Sequence, residues 1–326
     1  MGFIDIGNFA GINTGTLLIN GNGADILTIS GDNKNSIFRS LYVTVTIQDV
    51  TLTKGKAPDY SSGGAVFTIQ SSLTLRRVFV TQNSAGTLPS PAYAYGGGLD
   101  LNGGTVFIED STITNNEATY VGGGIFSNNC TLTIANSTIS DNSVNTFGGG
   151  LGGGGFITLR NVTITNNTAR ANCQSSCSGN GGGVAMFGGV LNFSNTIISG
   201  NHLTQIDNQA GSADLYYSVG NIYSQGNNII GTFPGDTANI TYPIKYQTSD
   251  ILDTNPMLGV LQNNGGTMPT HALLVGSPAI NAGNNANAPA TDQRGFARIV
   301  GGVIDIGAFE YQSAARRKKI LLSPTQ

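Results

Sequence analysis

The sequence predicts an all-β fold, a parallel β-helix of about 25 residues per coil that is closed by an irregular C-terminal cap. Three observations lead to this prediction. The helix formers Lys, Glu, Arg and Met are scarce while Thr, Ile, Val and Asn abound, which argues against an all-α fold. The 47 Gly have no three-residue period, which excludes collagen. A unit of short strands recurs, and its final Asn returns at steps of 33, 26, 25 and 34 residues.

Each repeat contains three predicted strands in a fixed order. The first strand follows a glycine pair, the second alternates apolar and polar residues, and the third carries one aliphatic residue. We expect the alternating apolar residues to point inward and to stack on their equivalents in the next coil. These residues are Leu73, Leu75, Val106, Ile108, Leu132, Ile134, Ile157, Leu159, Leu191 and Phe193, followed in the third strand by Val80, Ile113, Ile139, Ile164 and Ile198. In particular, we expect Leu132, Leu159 and Leu191 to share one inward column.

An asparagine ends every regular repeat, three residues after the aliphatic residue of the third strand. Asn suits a turn because it tolerates the left-handed conformation, and its amide can bond to the neighbouring coil. The sequence therefore predicts a structural asparagine ladder. Its members are Asn83, Asn116, Asn142, Asn167 and Asn201.

Aromatic residues precede the glycine motifs, next to two insertions at one corner of the coils. The insertions are the loops 84–95 and 168–180, and loops on one face of a solenoid often flank its binding surface. The aromatic residues either seal a corner or form a platform for the apolar faces of sugar rings. They are Tyr60, Tyr93, Tyr95, Tyr120 and Phe147.

The cysteines and acidic residues do not define a metal site. Cys173 and Cys177 share a polar loop and form either a disulfide or two free thiols. No His lies near them, so zinc is not predicted. We expect no cofactor, with calcium on scattered Asp residues as an alternative, although no Asp-rich nonapeptide repeat occurs.

The low charge restricts the partners. A net charge of −3 provides no basic face, which excludes nucleic acid as a partner. No apolar run is long enough for a membrane-spanning helix. The first residues lack the charged start and apolar run of a signal peptide, so we expect this chain to be an N-terminally shortened form of a longer protein.

The C-terminal third contains motifs that resemble a known family. They are the run from Asn263 to Gly283, which includes Thr-His-Ala-Leu, then Asp292-Gln-Arg-Gly and Asp305-Ile-Gly-Ala-Phe-Glu. Together with the repeats, which are also similar to those of polymorphic outer-membrane proteins, they resemble the bacterial choice-of-anchor Q proteins. These are right-handed parallel β-helix proteins of the pectin-lyase-like superfamily. The resemblance covers nearly the whole chain and implies an extracellular or cell-surface protein with no established catalytic residues.

The repeat and the resemblance together divide the chain into three parts. Residues 1–205 are predicted to form the β-helix coils, and residues 206–311 the closing coils and a cap like that of the family. Residues 312–326 are predicted to be a basic, disordered tail.

The candidate catalytic groups are scattered rather than gathered. Asp100 occupies an outward slot with no acidic equivalent in the adjacent coils, whereas a glycosidase needs two carboxyl groups. Arg77 beside Asp49 is either an uronate clamp or, as we favour, an ion pair between coils. We interpret His271 as structural and His202 as a turn residue.

The sequence thus favours a non-catalytic secreted or cell-surface protein that adheres to, or contacts, a glycan or another polymer of a host or cell surface. One alternative is a polysaccharide lyase or glycoside hydrolase with its site beside the loops 84–95 and 168–180. The other is a structural surface stalk.

Overall fold

A computed structural model of the protein describes residues 4–6, 15–59, 61–87, 93–170, 180–204, 213–232 and 244–312. The described residues contain strands, turns and bends but no helix, and therefore none that is long and apolar enough to cross a membrane. The all-β prediction is confirmed. The strands are β1 Ile4–Ile6, β2 Thr16–Asn20, β3 Thr28–Ser30, β4 Phe38–Leu41, β5 Thr44–Thr53, β6 Lys56–Ala57, β7 Val66–Ile69, β8 Ser72–Thr81, β9 Ser84–Ala85, β10 Leu99–Asn102, β11 Thr105–Glu109, β12 Thr112–Thr114, β13 Glu117–Ala118, β14 Ile125–Ala135, β15 Thr138–Ser140, β16 Ser143–Val144, β17 Leu151–Arg160, β18 Thr163–Thr165, β19 Thr168–Ala169, β20 Val184–Met186, β21 Val190–Ser194, β22 Ile197–Ile198, β23 His202–Leu203, β24 Leu215–Tyr217, β25 Asn221–Ser224, β26 Ile229–Ile230, β27 Ile251–Leu252, β28 Leu258–Gln262 and β29 Thr270–Leu273.

The strands stack in parallel into the faces of a parallel β-helix. The first face consists of β1, β4, β7, β10, β14, β17, β20 and β24. The second face consists of β2, β5, β8, β11, β14, β17, β21 and β25. The third face consists of β3, β5, β8, β12, β15, β18, β22, β26 and β27. Long strands such as β14 and β17 run from the first face onto the second, which joins the faces into one sheet.

Inward columns of aliphatic residues fill the coils, as the alternation predicts. On the second face Leu132 pairs with Ile157, and Ile157 pairs with Leu191. The expected column is therefore wrong in one member, because Leu159 pairs instead with Ile134 and with Phe193. Leu159 still points into the core. It lies two residues after Ile157, at the next inward position of the same strand, since inward positions recur with a period of two.

Each regular coil contains two turns that depend on a residue with positive φ, one before and one after the third strand. Between the second and third strands these are Asp49, Arg77, Asp110, Asn136, Asn161, Asn195 and Asn227, with φ from 48° to 58°. After the third strand the equivalent residues include Lys54, Gln82, Asn115, Asp141 and Asn166. Asn and Asp tolerate this left-handed conformation better than other residues with side chains, which explains much of their abundance.

The coils also contain a fourth face, which the sequence analysis missed. It consists of the two-residue strands β6, β9, β13, β16, β19 and β23. Its small inward residues form a separate apolar cluster that includes Ala57, Ala85, Ala118, Val144 and Ala169. Two residues are too short a segment to show the alternation of a strand, and the mark of this face in the sequence is an apolar residue two positions after each ladder asparagine, as at Ala85 and Ala118.

Residues 256–312, which we call the C-terminal strap, lie along the outside of the third face. The strap is irregular apart from the antiparallel pair β28 and β29, as expected of the C-terminal segment. Gln293 donates to the Ser111 carbonyl (3.0 Å) and to Thr112 Oγ1 (2.7 Å), and it accepts from Thr138 Oγ1 (2.6 Å). Further along, Ala308 N donates to Thr163 Oγ1 (3.0 Å). The strap thus fastens several coils from the side.

Candidate functional site

One outward position of the first face changes from coil to coil. This position, which we call the outer slot, directly follows the first inward residue of each strand. From β7 to β24 its occupants in register are Phe67, Asp100, Phe126, Gly152, Ala185 and Tyr216. Gly152 and Ala185 are buried, and a Cβ atom at Gly152 would lie 2.5 Å from Val121 Cγ1, so this part of the slot is covered. An open depression lies next to it, over the glycine backbone of residues 153–155 and 188–189.

Two clusters of aromatic rings flank this depression. In the first, Tyr120 packs edge-on against Tyr93 and Tyr95 at centroid distances of 4.6 and 5.3 Å. Tyr95 also lies 4.6 Å from the ring of Phe126. Edge-to-face contacts of this kind stabilise aromatic clusters beyond the area that they bury. Tyr93 remains 59% exposed, so the first cluster keeps an open aromatic surface.

The second cluster lies on the other side of the depression. Phe147 contacts Phe187 at 5.2 Å and Tyr216 at 5.9 Å between ring centroids. The predicted aromatic residues are thus not one row: Val121, and not Tyr120, pairs with Tyr95 and with Phe147. Because Tyr120 is one residue earlier, it packs into the first cluster.

A groove of about 400 Å³ runs between the two clusters. Phe126 on β14 and Phe187 after β20 line it from either side, and Phe156 on β17 lines it from the second face. Phe156 is 64% exposed. Ser127, Asn128 and Asn129 add polar groups to the wall. None of the described residues that line the groove carries a charge.

Glycine backbone forms the floor of the groove, at residues 153–155 and 188–189. At Gly153, with φ of 125°, a Cβ atom would lie 1.9 Å from the Ser127 carbonyl oxygen. At Gly189, with φ of 75°, it would lie 2.1 Å from the Gly155 carbonyl oxygen. Both positions require glycine, because the coils approach each other too closely for a side chain. At Gly188 a Cβ atom would meet nothing within 4 Å and would extend into open space.

Asp100 occupies the outer slot between the rings of Phe67 and Phe126. It is 3% exposed, and its Oδ1 accepts a hydrogen bond from Asn102 Nδ2 at 2.7 Å. Burial raises the pKa of Asp100 to about 7, against the opposing effect of hydrogen bonds from Asn102 and Ser62. Its neighbours in the slot are aromatic, so the structure does not pair Asp100 with a second carboxylate in this column.

The five predicted ladder asparagines stack at one corner and are at most 5% exposed. Each of the first four donates from Nδ2 to Oδ1 of the asparagine in the next coil, at 2.9 Å in every step. The same oxygen accepts the backbone N–H of the preceding asparagine, at 3.0 to 3.1 Å. Every Asn amide in the interior of the ladder thus both donates and accepts between coils.

The ladder ends on a carboxylate that the sequence analysis missed. Asp214 Oδ1 accepts from Asn201 N at 2.9 Å and from Asn201 Nδ2 at 2.8 Å. Its second oxygen accepts from Thr232 N at 2.6 Å. The last member has no further coil of the ladder to donate to, so a residue that only accepts fits this end. Asp214 lies in the irregular region after residue 205, where the spacing no longer marks it.

Other candidates from the sequence lie in separate places. Arg77 Nε and Nη2 bond to the two carboxylate oxygens of Asp49 at 2.6 and 2.7 Å, an ion pair between adjacent coils. His271 is buried at the joint between the strap and the third face, 2.7 Å from Ser140 Oγ. Its Nδ1 lies 2.8 Å from the Gly259 carbonyl, which can only accept, so Nδ1 carries a proton. Burial lowers the pKa of His271.

Several candidates lie outside the described residues. They are Tyr60, Cys173, Cys177 and parts of the loops 84–95 and 168–180. Within the described ranges, no group of three or more His, Cys, Asp and Glu side chains is arranged to hold a metal ion.

Comparisons with protein-family models, with curated proteins and with solved structures found no match for this chain.

Proposed function

We propose that this protein is a carbohydrate-binding β-helix protein of the cell exterior, and that the groove between the two aromatic clusters holds a sugar ring. The observation that carries the proposal is the lining of the groove. Three partly exposed Phe rings surround an uncharged floor of bare backbone, with side-chain amides at the wall.

This lining matches the two kinds of surface on a pyranose ring. The C–H faces of the ring are apolar and pack well on aromatic rings, here Phe126, Phe156 and Phe187. The hydroxyl groups at its rim both donate and accept, as do the amides of Asn128 and Asn129. A concave, mostly apolar site with a few polar groups is the usual form of a small-ligand site.

The motif resemblance to choice-of-anchor Q proteins supports the extracellular part of the proposal. The low charge and the many amide and hydroxyl side chains are compatible with a role in adhesion to a glycan-covered surface. A structural stalk without a ligand is the simplest competing role, and it predicts no glycan binding at all.

A glycan array read with purified protein tests the proposal. Gly188→Leu places a side chain in the groove from a position with free space around Cβ, so we expect the fold to remain and array binding to disappear. Phe156→Ala removes one ring, and we expect about tenfold weaker binding, the upper range of one aromatic contact. Phe107→Ala is the matched control, because Phe107 is also exposed, at 49%, but does not line the groove.

Binding that survives Gly188→Leu, or that falls equally in the Phe156 and Phe107 variants, would contradict a site in the groove. If neither the wild-type protein nor any of the variants binds a glycan on the array, the structural stalk is favoured.

A polysaccharide lyase or glycoside hydrolase is the catalytic candidate that competes with this proposal. Incubation with pectin, alginate and glycosaminoglycans tests this candidate. A lyase produces an unsaturated uronate with new ultraviolet absorbance and a hydrolase produces new reducing ends, whereas a binding protein produces neither.

A further inference from the structure

A second cleft, of about 430 Å³, adjoins the groove along the same strand. It lies between the second face and the strap, and Thr158 and Arg160 of β17 line it. Phe156, Thr158 and Arg160 alternate with the inward residues Ile157 and Leu159, so all three project from the outer surface of one strand. A chain molecule that leaves the groove past Phe156 therefore reaches Arg160 within about 13 Å, the length of four strand residues.

The charge of Arg160 is not neutralised by its neighbours in the column. Arg76 occupies the same position in an earlier coil, and its guanidinium forms an ion pair of 2.9 Å with Glu109 in the next coil. Arg160 instead lies between Ala135 and Ser194. Its guanidinium forms no ion pair or hydrogen bond with any residue of the described ranges. Two arginines at equivalent positions thus differ in that only one has an acidic partner.

Two carboxamides of this cleft, those of Asn161 and Asn284, are oriented with their NH₂ groups free. Asn161 Oδ1 accepts from Arg298 Nη2 at 3.2 Å, and a guanidinium can only donate. Asn284 Oδ1 accepts from Ala286 N at 2.8 Å. Asn195 holds the Asn284 backbone through both atoms of its amide. Among the described residues, the NH₂ groups of Asn161 and Asn284 have no acceptor, and no acidic residue lines the cleft.

We propose that this cleft binds the carboxylate or sulfate group of an anionic glycan, with Arg160 as the charged contact and the amides of Asn161 and Asn284 as donors. Oxygen anions are bound by such sets of donors, and a guanidinium fits a carboxylate or sulfate through two parallel hydrogen bonds. The inference rests on the proposed function, since the uncharged groove holds a sugar ring and the cleft binds the acid group further along the same chain.

Calorimetric titration with two pairs of oligosaccharides tests the inference. Hyaluronan oligosaccharides present carboxylates, and their carboxyl-reduced forms are the neutral partners; dextran sulfate presents sulfates, and dextran of equal length is its neutral partner. Each probe is titrated into the wild-type protein, into Arg160→Gln and into Arg76→Gln, the matched control from the same column. Phe156→Ala reports on the groove, and thermal melting confirms that each variant is folded.

We expect at least one charged probe to bind more tightly than its neutral partner, with an advantage that shrinks in high salt. Arg160→Gln should weaken that probe about fivefold, the scale of one exposed charge pair, and leave its neutral partner unchanged. Arg76→Gln should change neither. If Arg160→Gln weakens the hyaluronan oligosaccharides, the ligand group is a carboxylate. If it weakens dextran sulfate, the ligand group is a sulfate.

Equal binding of charged and neutral probes, both weakened by Phe156→Ala, would overturn this inference while the groove proposal stands. Equal effects of the Arg160 and Arg76 substitutions would overturn it as well. If none of the four probes binds while the glycan array shows binding that Gly188→Leu abolishes, this inference is overturned and the groove proposal stands; absence of binding in both experiments contradicts both.

Discussion

Two positions of the repeating coil, the asparagine ladder and the outer slot, behave in opposite ways. The ladder carries Asn in five coils, with the same hydrogen bonds and nearly the same distances at each step. The outer slot carries Phe, Asp, Gly, Ala or Tyr in successive coils. The first position holds the coils together, and the second shapes the surface where we place the ligand.

The physical reason for the difference is the number of neighbours that each position must satisfy. A ladder amide is buried and needs a donor in one adjacent coil and an acceptor in the other, so a change at one step leaves two steps unsatisfied. A residue of the outer slot belongs to no such continuous chain of hydrogen bonds, so its side chain can differ from coil to coil, whether it is buried, as at Ala185, or partly exposed, as at Phe126 and Tyr216. Repetition therefore stabilises the fold, and we propose that departures from repetition shape the ligand site.

The largest expected effect comes from putting a carboxylate inside the ladder, in place of an asparagine amide. The reverse change, an amide in place of the carboxylate at the end of the ladder, should cost much less. Asn167 donates from Nδ2 to the Ile139 and Thr165 carbonyls and to Asn201 Oδ1, at 2.9 to 3.0 Å. Asn167→Asp would point a buried carboxylate at three acceptors, and we expect the free energy of unfolding to fall by at least about 3 kcal/mol. Asp214→Asn at the end of the same ladder should cost only about 1 kcal/mol, the loss of one hydrogen bond to Thr232 N.

Urea unfolding of both variants measures these two costs. Equal costs would show that the ladder has no required direction and would contradict our description of Asp214 as its acceptor end.

A smaller effect should separate two glycines on the floor of the groove. Gly153→Ala creates a contact of 1.9 Å with the Ser127 carbonyl at a positive φ, and we expect a loss of about 1 to 3 kcal/mol. Gly188→Ala has free space and should stay within about 0.5 kcal/mol of the wild-type protein. Thermal unfolding of the pair checks the prediction, and a stable Gly153→Ala protein would mean that the coils of the groove floor are further apart than described.

A pH dependence of stability should originate in the outer slot. Burial raises the pKa of Asp100 from 3.8 to about 7, so the folded protein keeps this proton when the unfolded chain has lost it. The contribution of Asp100 to stability is full below about pH 4 and is lost as the pH rises to about 7. Glu310, with a pKa raised to about 7, and Asp110, raised to about 6, act in the same direction.

The lowered pKa of His271 acts in the opposite direction, since its contribution is present above pH 6.5 and is lost as the pH falls below that value. Burial also raises the pKa of Asp305, so with four acids against one histidine we expect the melting temperature to decrease from about pH 5 to about pH 8. Asp100→Asn keeps an acceptor for Asn102 and should flatten this decrease. An unchanged pH profile in that variant would show that Asp100 titrates normally.

The coil architecture could be predicted from sequence because each of its features occurs several times. Alternating residues such as Leu132 and Ile134, and the asparagines three residues after the third strand, give a signal that accumulates over the repeats. The same signal marks Phe126 and Phe156 as outward, since each adjoins an inward Ile. A large apolar residue at an outward position is the clue that could have located the groove.

The groove and the contacts of the strap could not be predicted, because each of these features occurs only once in the described chain. The floor of the groove combines glycines of two coils, residues 153–155 and residues 188–189, and sequence distance conceals that they are neighbours. The strap reaches the third face through single contacts such as Gln293 with Ser111, which are 182 residues apart. Phe187 lies just after a three-residue strand and has no periodic partner. Such contacts depend on the finished coils and leave no local pattern.

The central claim is that the groove over the glycine backbone of residues 153–155 and 188–189 is the binding site, and a crystal structure with a bound oligosaccharide tests it most directly. The oligosaccharide should be the ligand with the strongest signal on the glycan array. We predict a pyranose ring over the glycine floor, in contact with Phe156 and with Phe126 or Phe187. An oligosaccharide bound elsewhere on the coils, with the groove between Phe126 and Phe187 filled only by water, would contradict the account.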